Sequence, residues 1–68
     1  MPSKTKIGNN LKKARLEIGM TQVEVAESAD LNANYYARVE RGEETLSMKT
    51  LKTICIILKV KSSEVLDF

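Results

Sequence analysis

The stretch Thr21 to Gly42, TQVEVAESADLNANYYARVERG, constrains the fold more than any other part of the chain. It opens on Thr-x-x-Glu, Thr21 to Glu24, a capping box in which each side chain satisfies a backbone donor of the first turn. Val25, Ala26 and Ala29 supply one buried side, and small residues there let another helix cross closely. Asp30, Leu31 and Asn32 make a tight turn, and Asn32 is a good N-cap for a second helix. That helix runs from about Ala33 to Arg41 and stops at Gly42. At about 100° per residue, Tyr36 and Val39 define its buried face. Asn34, Ala37, Arg38 and Arg41 fall on the opposite face, with Ala33 and Tyr35 on the flanks. The segment is two short helices joined by a tight turn, the second apolar inward and rich in Asn and Arg outward.

The rest of the chain is helical too. Ile7, Leu11, Ala14 and Ile18 recur at spacings of four, three and four, one apolar stripe of a first helix from about Ile7 to Ile18, with Gly19 as its left-handed cap. Glu43 to Leu46 is a loop. Ser47 caps a fourth helix from about Met48 to Leu58, with a stripe of Met48, Leu51, Ile54, Cys55 and Leu58. A short fifth helix starts near Ser62 or Ser63 and covers Glu64 to Leu66. No segment alternates cleanly enough for a strand. The fold class is therefore all-α, five helices in one domain spanning residues 1–68, with a flexible basic N-terminus over residues 1–6. A single core of this length supplies roughly 3–5 kcal/mol, so it needs well-matched helices or a partner subunit.

Several functions are disfavoured by what the chain lacks. There is no His for a general base or a metal site, the three glycines are too scattered to cradle a phosphate, and no catalytic residue, cofactor or metal is expected. Cys55 stands alone in an apolar run and reads as a small core residue. The longest apolar run, Ile54 to Leu58, is far short of the ~20 residues that span a bilayer. The N-terminus has no apolar signal-peptide core. A cytoplasmic protein with no membrane partner is expected. Net charge is only +2, yet residues 1–15 carry five cations and no acid, while 17–30 carry Glu17, Glu24, Glu27 and Asp30 and no base. Separate basic and acidic faces are expected.

The outward Asn and Arg face suits double-stranded DNA. Arg pairs with guanine and Asn with adenine through two hydrogen bonds each, for about 1–3 kcal/mol of discrimination per base pair. Asn34 and Arg38 lie one turn apart; Ala37 between them keeps the face flat and can meet a thymine methyl. Tyr35 is placed to reach a sugar, phosphate or thymine methyl. The amides at the start of the second helix, with Thr21 and Gln22, form a phosphate clamp, and Arg41 with the amides near Gly42 can grip the strand at the other end.

These residues carry a resemblance. Arg15, TQ-x-x-VA at Thr21 to Ala26, YYARVERGE across Tyr35 to Glu43 and TLKTI at Thr50 to Ile54 resemble the phage repressor and Cro helix-turn-helix family, also called the xenobiotic-response-element type. The match is gapless from about Ile7 to Leu66. It implies a compact lambda-repressor-like domain with Gln22 as a phosphate contact, and Ala33, Asn34 and Arg38 as base readers; Asn32 lies with the backbone-contacting set. It also implies a partly buried salt bridge between Arg15 and Glu40. Three departures stand out: Asp30 where the turn usually has Gly, Tyr36 where a core Ile is common, and Lys59 where a Gly commonly follows the fourth helix. The Tyr36 hydroxyl is expected to reach the surface or find a partner.

Ile56 projects opposite the stripe of the fourth helix, with Ile57 on its flank. With Val65, Leu66 and Phe68 they form a candidate homodimer patch; scattered surface residues are the alternative. The resemblance thus implies a dimeric transcription regulator on a pseudo-palindromic operator of a restriction-modification or phage operon, such as a controller protein. The alternative is an antitoxin or other interaction module, touching a toxin, or RNA polymerase through Glu24, Glu27 and Asp30.

Overall fold

The computed structural model describes residues 3–66 and contains five helices: α1 (Lys4–Glu17), α2 (Gln22–Ser28), α3 (Ala33–Glu40), α4 (Met48–Leu58) and α5 (Ser62–Val65). Side chains fix where the first four begin. Ser3, Thr21, Asn32 and Ser47 each accept the amide three residues on, and at α2 Glu24 returns the bond to complete the capping box.

One device also ends those four helices. Gly19, Asp30, Gly42 and Lys59 all sit at positive φ, between 57° and 81°. After each, the chain donates two amides back into the last turn: Gly19 to Leu16 and Met20 to Arg15, Asp30 to Glu27 and Leu31 to Ala26, Gly42 to Val39 and Glu43 to Arg38, Lys59 to Ile56 and Val60 to Cys55. This is the double bond of a Schellman cap. Asp30 therefore takes the left-handed position of its tight turn, and Lys59 does the same in a conformation that only glycine adopts freely.

The core is Leu11, Ala14, Val25, Ala26, Tyr36, Val39, Leu51, Ile54, Cys55, Leu58 and Val65. Helix α3 packs on α1 and α2; α4 packs on α2 and α5, and α5 returns to α1. Asn10 of α1 ties that return, donating its side-chain amide to the Val65 carbonyl at 2.8 Å.

Some expectations are corrected. Helix α1 begins at Lys4 rather than Ile7, so Lys4 and Lys6 of the supposedly flexible arm are helical; Met1 and Pro2 lie outside the described residues. Ile18 is the C-cap of α1, outside its buried stripe, and Met48, the first residue of α4, is 55% exposed. Arg41 is the C-cap of α3 rather than its last helical residue. Val65 is 2% exposed: it is core, and is not available to a dimer interface.

Candidate nucleic-acid interface

A helix can present polar residues to a partner only if its other face is fixed. Tyr36, Val39 and Glu40 are the buried residues of α3, while Asn32, Asn34, Arg38 and Arg41 are exposed. Gly8 sets the distance to α1. A Cβ there would lie 2.4 Å from the Val39 carbonyl oxygen and 2.5 Å from that of Glu40, so the α1 backbone rests directly on the end of α3.

A polar network locks the same junction. Arg15 Nε donates to Glu40 Oε2 at 2.7 Å, Arg15 Nη2 to Oε1 at 3.0 Å and Arg15 Nη1 to the Met20 carbonyl at 2.9 Å. The carboxylate is fully buried and the guanidinium nearly so. Burial works to raise the Glu40 pKa, but hydrogen bonds from Arg15 and Gln22 and the nearby charge outweigh it, and the carboxyl stays below its ordinary value. The bond from Glu40 in turn raises Arg15. The implied structural salt bridge is thus present, bidentate, and shared with α2. The wholly buried Tyr36 hydroxyl does not reach the surface and makes no hydrogen bond of ordinary geometry. Burial first, then the adjacent Glu40 carboxylate, push its pKa up.

The residues singled out in the sequence fall into three groups. Asn34 and Arg38 project from the exposed face of α3, with the half-buried Ala37 between them. Others are already engaged. Gln22 donates Nε2 to Glu40 Oε1 at 3.0 Å, Asn32 accepts the Tyr35 amide as N-cap, and Thr21 accepts that of Glu24. Tyr35 packs partly on the core and donates its hydroxyl to the Thr45 carbonyl, tethering the loop after α3. Arg41 Nε donates to Glu43 Oε2 at 2.7 Å, which raises the arginine and lowers the acid. Ala33 turns partly into the core. Among the acids named for a polymerase contact, Glu24 spends an oxygen on the Thr21 amide, while Glu27 and Asp30 are exposed.

In the apolar patch, Ile56 is 77% exposed, Ile57 and Leu66 are half-buried, and Phe68 lies outside the described residues. Among the described residues no helix is long and apolar enough to cross a membrane. Sequence reasoning missed Gly8, Gln22 as a Glu40 partner, and the Glu43 pair with Arg41.

The geometry can be set beside known proteins. The chain is 37% identical over 60 residues to the transcriptional regulator ClgR of Mycobacterium tuberculosis, covering 88% of this chain and 54% of that protein, so it spans about half the length of that relative. The restriction-modification controller protein C.AhdI from Aeromonas hydrophila superposes with a TM-score of 0.86 at 26% identity, covering 91% of this chain and 94% of the controller. The controller C.Esp1396I, bound to a 19 base pair DNA duplex, gives a TM-score of 0.81 at 33% identity, covering 94% of this chain and 85% of its own. The helix-turn-helix family model matches residues 11–65, which contain the capped α2, the left-handed turn at Asp30, the outward-facing α3 and the helices that hold them: the chain belongs to the helix-turn-helix family.

Proposed function

We propose that the chain is a sequence-specific transcriptional regulator that binds double-stranded DNA as a homodimer, as a restriction-modification controller or phage repressor would. The observation that carries this is a short helix, α3, whose buried face is locked to α1 and α2 while Asn34 and Arg38 stand free, one turn apart, on the other. In the major groove those two read base edges, and Ala37 allows close approach. Thr21, Gln22 and Asn32 lie at the starts of α2 and α3, where backbone amides attract a phosphate and set the register without reading sequence. Ile56 and Ile57 of α4, with Leu66 after α5, are the apolar residues assigned to pairing with a second copy.

The test is selection of bound duplexes from a random library at near-physiological salt. A two-fold-related motif with half-sites about one turn, ~34 Å, apart is the expected result. Failure to enrich any motif would remove sequence-specific regulation as the function.

A further inference from the structure

The cap of α3 places an acid beside the arginines of the reading face. Gly42, at φ 81°, turns the chain so that the Glu43 amide donates to the Arg38 carbonyl at 2.9 Å. The turn packs against α1 and has no room for a side chain at Gly42, where a Cβ would lie 2.9 Å from Thr5 Cα. Glu43 is therefore held at the end of α3, with its carboxylate on Arg41 at 2.7 Å and both side chains more than half exposed. The charge of Arg38 also acts on that carboxylate. Glu43 thus lies in the field of two of the cations that α3 offers to a duplex.

We infer that Glu43 is a brake on backbone binding: it holds Arg41 off the DNA phosphates and keeps sequence-independent affinity low. A carboxylate and a phosphate compete for the same guanidinium, each by charge-assisted hydrogen bonds. A surface pair this exposed is weak in water. The brake is therefore graded, and its hydrogen bond is to Arg41 rather than to Asn34 or Arg38, whose side chains stay free for base contacts. It rests on the DNA-binding function proposed above.

The test measures Kd for wild type, Glu43→Gln, Arg41→Ala and the double variant. Each is titrated with a selected duplex and with a random-sequence duplex of equal length, over a series of salt concentrations. Glu43→Gln is expected to bind both duplexes several-fold tighter. One extra neutralised phosphate should steepen its salt dependence by about 0.9 in the log–log slope. The gain should vanish in the Arg41→Ala background. Glu64→Gln, which removes the same charge from an exposed position on α5, should match wild type. Unchanged affinity in Glu43→Gln, or an equal gain without Arg41, overturns the brake while DNA binding stands. If no variant binds any duplex, the proposed function falls and the brake falls with it.

Discussion

Glu40 accepts hydrogen bonds from two helices other than its own, and this decides what its neighbours can lose. Removing one partner of a buried ion pair strands the other charge, at about 3–5 kcal/mol. That is the whole stability expected of a core this size. Arg15→Ala is therefore expected to leave the chain largely unfolded at room temperature; a urea transition like that of wild type would contradict the role given to the pair. The pH dependence comes from the lowered Glu40 pKa. An unfolded glutamate titrates near ~4.3, so on acidification the unfolded chain takes up this proton before the folded one does. The stabilisation is complete above that pH and is lost as pH falls through the lower, folded value. Glu40→Gln is thus expected to be less stable than wild type at neutral pH but to lose less on acidification, which denaturant titrations taken stepwise below pH ~4 would show.

Helix starts, ends and spacings obey different rules, and they were unequally legible in the sequence. Thr21, Asn32 and Ser47 announce their helices because N-capping is local chemistry. The first turn of α1 escaped because Lys4, Thr5 and Lys6 add nothing to an apolar period, though Ser3 caps it. The misplaced Val65 has a similar origin: four residues are too few to fix the phase of α5. Gly8 was illegible for another reason. Its role lies in an approach to α3, distant in sequence, which no local pattern encodes. Gly8→Ala weighs two effects of opposite sign. Helix propensity favours alanine by about 1 kcal/mol. Forcing a methyl against two carbonyl oxygens costs about 1–3 kcal/mol and spreads α1 from α3. The expected outcome is a lower melting temperature despite the better helix former. Lys59→Gly runs the other way. It relieves a left-handed lysine and is expected to gain up to about 1 kcal/mol, a rise of about 4–8 °C in a thermal melt. A fall in Tm for Lys59→Gly would show that the Lys59 side chain, rather than its backbone, matters there.

The size of the whole molecule bears on how it meets DNA. Its longest extent is 28 Å, and eight residues of α3 span about 12 Å at 1.5 Å per residue. On the proposed function, one copy would read a single stretch of major groove, and half-sites ~34 Å apart would lie beyond its reach. Reading both would take two copies, and a two-fold contact uses the same patch on each, so such a patch must be complementary to itself. Ile56 is the candidate for that patch. Among the described residues it is the most exposed of the large apolar side chains, and it borders a shallow hollow lined by Lys52, Cys55, Val60 and Ser62, into which a partner's side chain can settle. The odd residue of the α4 pattern was visible in the sequence, whereas the hollow beside it required α4 and the start of α5 to be placed together. Ile56→Glu puts a charge in the centre of such an interface at an exposed position outside the core, so the monomer should melt as a folded domain. Sedimentation should then give one copy, and affinity for a two-half-site duplex should fall towards that for a single half-site, because the second contact is no longer intramolecular. If the variant still sediments as a dimer, the two-fold contact lies on another face and the hollow beside Ile56 is not where the copies meet.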